Sequence, residues 1–161
     1  MTDTPLEIER KFILKRPPKD MLYHQPINIE QYYLPRDEDG YTVRIRRKEC
    51  NGKVTCILTK KLRVSDMTCE EIERDISFSE FRELQSRAIS EVSKTRYNYK
   101  VGNDVWEIDI FNGIKLILAE IELSDEGDVF EVSSCMDDVI IAEVTGIDGF
   151  YNENLATPTV K

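Results

Sequence analysis

The sequence predicts a mainly β protein, an antiparallel sheet closed into a barrel or a sandwich with a few covering helices. Three observations carry this. Short segments that alternate charged and apolar side chains recur along the chain, as the two-residue period of a strand requires. Turn pairs of the hairpin type, Asp39-Gly40 and Asn51-Gly52, separate successive segments, and Gly102-Asn103 and Asn112-Gly113 turn the chain again. A single stretch has convincing helical spacing, and nothing alternates helix with strand in the doubly wound manner.

Taken in order, Leu6 to Leu14 is the first strand. Glu7, Glu9 and Lys11 point one way; Leu6, Ile8, Phe12 and Leu14 point the other, with Arg10 as the exception. Prolines between Pro17 and Pro26 break it, leaving room for a helical turn near Asp20 to Tyr23. Ile29 to Leu34 is rich in aromatic and branched residues and reads as a strand. Tyr41 to Arg46 puts Thr42, Arg44 and Arg46 opposite Tyr41, Val43 and Ile45. Val54 to Lys60 is a further strand with weak alternation, since Lys60 shares a face with Cys56 and Leu58. Leu62 to Thr68 reads as a longer, mobile loop. Cys69 to Ile76 sets Glu71, Glu73 and Asp75 against Ile72 and Ile76. The helix follows: Ser77 and Glu80 form a capping box, and Phe78, Phe81, Leu84 and Ala88 recur at helical spacing, so it should cover an apolar sheet face. Val92 to Tyr99, Trp106 to Ile110 and Leu116 to Leu123 complete the regular strands. Beyond Ser124 the chain is less regular, with an apolar run from Val139 to Val144.

At 161 residues and 40% hydrophobic content the chain reads as one domain, residues 1–161, with a real core. Asp and Glu outnumber Lys and Arg by 31 to 22, a net charge of −9. The resulting field repels polyanions, which argues against nucleic-acid and anionic-membrane partners and still allows a small anion in a local basic pocket. Cys50, Cys56, Cys69 and Cys135 include no Cys-x-x-Cys pair, so free thiols in a cytoplasmic protein are expected rather than zinc. No apolar run is long enough to span a bilayer. The lone histidine, His24, reads as a surface or packing residue.

Same-sign pairs recur at i and i+2: Glu7/Glu9, Arg44/Arg46, Glu71/Glu73, Lys94/Arg96, Glu107/Asp109 and Glu120/Glu122. One such pair is the ordinary solvent face of an amphipathic strand. A whole series is harder to account for that way, because same-face neighbours stand only ~6–7 Å apart and like charges repel unless a counter-ion relieves them. Carboxylate pairs suit a hard divalent cation; Arg and Lys pairs suit phosphoryl oxygens. A closed barrel with these faces inward would gather both around one ligand.

Glu7-Ile8-Glu9-Arg10-Lys11-Phe12 resembles the Glu-x-Glu-x-Lys signature of the CYTH family, the triphosphate tunnel metalloenzymes. The resemblance continues in order through Arg44-Ile45-Arg46, Lys60, Glu71-Ile72-Glu73, Lys94-Thr95-Arg96-Tyr97, Trp106-Glu107-Ile108-Asp109 and Ala119-Glu120-Ile121-Glu122. It ends with Glu143-Val144-Thr145-Gly146 and Tyr151-Asn152-x-Asn154-Leu155, and departs from many relatives at Gly149, where they carry a basic residue. The resemblance implies an eight-stranded antiparallel tunnel that hydrolyses inorganic tripolyphosphate or a related triphosphate with Mg²⁺ or Mn²⁺. Lys11, Arg44, Arg46, Lys60, Lys94 and Arg96 would bind the phosphates. Glu7, Glu9, Glu120 and Glu122 would be the metal ligands. Glu7, Glu9, Lys11, Glu73 and Lys94 would form the catalytic set, and Glu71, Glu107 and Asp109 the remaining tunnel carboxylates. A homodimer fits relatives that dimerise. The same charges would serve a class IV-type adenylate cyclase, a thiamine triphosphatase or a non-catalytic polyphosphate- or nucleotide-binding module.

Overall fold

The computed structural model describes residues 4–159. Eight strands form the barrel: β1 (Leu6–Leu14), β2 (Ile27–Leu34), β3 (Thr42–Cys50), β4 (Lys53–Arg63), β5 (Thr68–Ile76), β6 (Ser90–Val101), β7 (Asp104–Phe111) and β8 (Ile117–Leu123). Around the ring they run β1-β5-β4-β3-β2-β6-β7-β8 and back to β1, every pairing antiparallel. The closed barrel, rather than the sandwich, is therefore the architecture.

Helix α1 (Phe78–Gln85) follows β5, and α2 (Ser134–Asp137), β9 (Ile140–Glu143), α3 (Asn152–Leu155) and β10 (Thr157–Pro158) follow β8. The C-terminal portion returns along the barrel, with β9 pairing β1 and β10 pairing β6.

The hairpin signals act as expected. Asn51 at φ 55° and Gly52 at φ 76° make the left-handed pair that a two-residue turn between β3 and β4 needs. The loop expected from Leu62 to Thr68 shrinks to Val64–Met67, since β4 runs on to Arg63 and β5 begins at Thr68. Hydrogen bonds from Val64 N–H (2.8 Å) and Ser65 N–H (3.1 Å) to the Thr68 carbonyl close it.

Outward-facing side chains make the core. Phe12, Trp106, Ile108, Ala119 and Ile121 pack beneath Met21, Met136 and Val139 on one side of the barrel. Ile45, Cys56 and Ile76 pack beneath Phe81 of α1 on another. The Glu80 N–H donates to Ser77 Oγ at 3.0 Å, but the Glu80 carboxylate turns to Arg74 at 2.7 Å, so only half of the expected capping box forms. Phe78 stays exposed and Phe81 alone of the helix is fully buried. Arg10 sits on the outward face because Glu143 of β9 grips its guanidinium at 2.7 and 2.8 Å. His24 packs edge-on to Tyr99 at 5.4 Å.

Phe81→Ala should lower the unfolding free energy by about 3–5 kcal/mol, read by urea denaturation, because it empties the site of the one fully buried side chain of α1, which packs on the barrel wall.

Candidate active site in the barrel lumen

The alternation that sends apolar residues out sends charged residues in from every barrel strand except β2. Glu7, Glu9 and Lys11 of β1 meet Arg44 and Arg46 of β3, Glu71 and Glu73 of β5, Lys94 and Arg96 of β6, Glu107 of β7, and Glu120 and Glu122 of β8 around a cavity of about 540 Å³. Asp109 lies in the wall beneath it, fully buried.

The cationic side is organised by Asp109. Its Oδ1 accepts from Arg96 Nε at 2.7 Å, and its Oδ2 accepts from Arg96 Nη2 at 2.9 Å and lies 2.7 Å from Lys94 Nζ. Arg96 Nη1 also donates to Glu107 at 2.5 Å. Burial opposes a charge on Asp109, yet Lys94 and Arg96 hold its carboxyl below the usual value. Burial pulls the Lys94 ammonium down to about 8, with Asp109 acting the other way. Arg46 is lowered to about 10 by burial and then by Arg44 and Arg96, and stays protonated at neutral pH. The Nε atoms of Arg44 and Arg46 are buried without a hydrogen-bond partner, and Arg46 reaches Glu73 only at 3.6 Å. These guanidinium groups hold donors in reserve for an anion.

The acidic side is arranged against itself. Glu9 stands opposite Glu122 across the β1–β8 ladder, and Glu107 stands opposite Glu120 across β7–β8. Like charges in register destabilise a sheet. Burial, and then the charge of Glu120, push Glu9 well above the usual carboxylate range. Glu120 goes well below it despite burial, held first by Lys11 at 3.6 Å and then by its contact with Glu9. Burial likewise raises Glu7 and Glu122. Such a group wants a cation, and its oxygen donors suit a hard one. Among the described residues no three His, Cys, Asp or Glu side chains gather closely enough to cage a metal unaided. An ion here would complete its coordination with ligand or water oxygens.

The expectation for Lys60 is corrected. Lys60 stands between Val43 and Ile72 on the outward face, and its ammonium meets Asp37 at 3.0 Å. Lys61 is the lumen residue, 2.5 Å from Glu7 and 3.2 Å from Glu71. Against burial and the nearby Arg44, the carboxylates of Glu9, Glu7 and Glu71 hold its pKa above the ordinary lysine value. The signal was present in the strand itself: Cys56 and Leu58 fix the apolar face, which leaves Lys61 with Thr59 on the other.

Further lumen residues lie outside the predicted set. Lys48 continues the Arg44-x-Arg46 row because β3 runs on to Cys50. Tyr33 enters from β2, where its hydroxyl accepts from Gln31 Nε2. Arg63 and the stretch from Asp148 to Asn154 frame one end of the cavity.

The CYTH domain family model matches residues 5–136. An inorganic triphosphatase of Acetivibrio thermocellus is 34% identical over 158 residues, covering 92% of each chain. Among solved structures, the PH1819 protein of Pyrococcus horikoshii OT3 superposes with a TM-score of 0.60 at 25% identity, over 75% of this chain and 80% of that one. HpAC1 from Hippeastrum, which has a dominant triphosphatase activity, superposes at 0.50 with 17% identity, over 74% and 80% of the two chains, and at that identity shows the fold alone.

Asp109→Asn should cost about 3–5 kcal/mol of stability at neutral pH, because it leaves Lys94 without its ion-pair partner in the wall and Arg96 with Glu107 alone. The lowered carboxyl contributes stability above the ordinary aspartate value of 3.8, which is lost as pH falls through its folded value. Denaturant melts of the two proteins should therefore converge as the pH is taken below that value.

Proposed function

Because the chain belongs to the CYTH domain family, we propose that it hydrolyses inorganic tripolyphosphate, or a related linear triphosphate, inside the barrel. The observation that carries this reading is the meeting of two charge sets in one lumen. Guanidinium groups with unused donors face carboxylates that oppose one another in register.

Arg44, Arg46, Lys61, Lys94, Arg96 and Lys11 would hold the phosphoryl oxygens, Arg44 and Arg46 through their planar forks. Fixing a flexible polyanion in this row supplies positioning, and the same cations offset the charge that builds up as the phosphoanhydride bond breaks. Glu7, Glu9, Glu120 and Glu122 would hold Mg²⁺ or Mn²⁺, which when bound neutralises phosphate charge and polarises the bond to be cleaved. Glu73 accepts from Thr59 Oγ1 at 3.2 Å and would use its remaining capacity to orient the attacking water. The attack is direct: Cys69 borders the cavity, but burial pushes its thiol up and leaves it protonated. Four free cysteines support a reducing, cytoplasmic setting.

Phosphate release from tripolyphosphate, with and without Mg²⁺, tests the reading. Metal-dependent turnover is expected, and binding without turnover under either metal would reduce the protein to a binding module. Glu7→Gln with Glu9→Gln should abolish the metal-dependent rate while the melting temperature holds. The two neighbouring lysines separate the lumen from the outer face. Lys61→Ala should lower kcat/KM by about 10- to 100-fold, the loss of a hydrogen bond to a charged group, whereas Lys60→Ala should change it by no more than about twofold.

A further inference from the structure

The inward rows stop being charged at one end of the barrel. Lys11 gives way to Ile13, Lys94 to Val92, Asp109 to Phe111 and Glu120 to Leu118, each two residues along its strand. These apolar ends pack with Tyr33 and with Val144, Phe150, Leu155 and Ala156 of the C-terminal segment. That segment is anchored at the mouth of the cavity as well: Arg63 donates to Asp148 at 2.8 Å and to the Gly146 carbonyl at 2.7 Å, and Arg36 pairs with Glu153 at 3.0 Å. Gly146 has φ 77°, and a Cβ there would lie 2.6 Å from Asp66 Cγ, so only glycine fits the bend that starts the segment.

The segment also reaches the charged groups of the lumen. The Phe150 carbonyl accepts from Lys11 Nζ at 3.1 Å, and the Tyr151 ring lies 4.8 Å from both the Lys11 ammonium and the Arg63 guanidinium. Asn152 Oδ1 accepts from Lys94 Nζ at 2.7 Å. An ammonium has three N–H donors. For Lys94, Asn152 Oδ1 accepts one at 2.7 Å and Asp109 Oδ2 forms an ion pair with the same nitrogen at 2.7 Å, while the Phe111 ring lies 5.5 Å away; donor capacity remains at the border of the cavity.

We propose that Asn152 is a positioning residue. It fixes, with Asp109, the direction in which Lys94 presents its remaining donor capacity to a phosphoryl oxygen, and the C-terminal segment thereby sets where the bound phosphate chain sits. The proposal rests on the triphosphate-site reading above. Without the Asn152 oxygen, Lys94 is held from one side only and its ammonium can swing off the substrate line.

A double-mutant cycle tests it. The affinity for tripolyphosphate with Mg²⁺, measured by calorimetry, and kcat/KM are compared for wild type, Asn152→Ala, Lys94→Met and the double variant. Asn152→Ala should weaken both by about tenfold, from a charge-assisted bond lost, and the double variant should be no worse than Lys94→Met alone. Asn152→Asp, which keeps an acceptor oxygen in place, should recover part of the loss. Losses that multiply in the double variant, or a loss in Asn152→Ala that follows a lower melting temperature and vanishes in a cooler assay, overturn the proposal. Wild-type binding without turnover would end the hydrolase reading and leave the cycle readable on affinity, and no binding by the wild type would overturn both.

Discussion

One buried carboxylate makes the cationic wall of this barrel tenable. Lys94 and Arg96 sit almost wholly out of water, where an ammonium and a guanidinium are costly to hold unpaired. Asp109 answers both. It does so from β7, directly across the ladder from Arg96, and the β6–β7 ladder is one of those that complete the ring. Slipping that pairing by one residue would turn Asp109 outward and strand two cations in the wall. Charge pairing and strand register therefore enforce each other at this seam.

The carboxylates of β1, β7 and β8 are answered only in part. Glu9 faces Glu122 and Glu107 faces Glu120, and of these four only Glu107 and Glu120 have a basic partner in the ion pairs of the described residues. A fold selected for stability alone would replace such contacts with opposite charges or apolar pairs. Their presence beside unused guanidinium donors is the strain that the proposed cation and phosphate would relieve. Cation and anion would have to arrive together to balance both walls.

Much of this was legible because a strand has a strict period. Glu7/Glu9, Arg44/Arg46 and Glu120/Glu122 each announce which way their strand faces, and the hairpin signals at Asn51-Gly52 and Asn112-Gly113 place the reversals. What escaped did so for definable reasons. Ending one strand at Arg46 hid Lys48, and choosing Lys60 over Lys61 set aside the phase that Cys56 and Leu58 impose. Tyr33 was invisible as a lumen residue because an aromatic on a strand gives no hint of which face is hollow. The C-terminal segment has no period at all, and its place against Lys11 and Lys94 depends on contacts more than a hundred residues apart on one side and 58 on the other.

Strand β1 is made well before two of its neighbours. Leu6 pairs with Glu70, but Ile8 also pairs with Leu123 and Phe12 with Glu143, so the β8 and β9 ladders join β1 to regions separated from it by most of the chain. Such distant closure favours slow assembly and leaves the β8-facing edge of β1 unpaired until β8 has been made. Glu7, Glu9, Arg10 and Lys11, which later serve the lumen and its outer clamp, are in that interval the charges that discourage one nascent edge from zipping onto another. Neutralising them would expose the unfinished chain to aggregation before any ligand could matter.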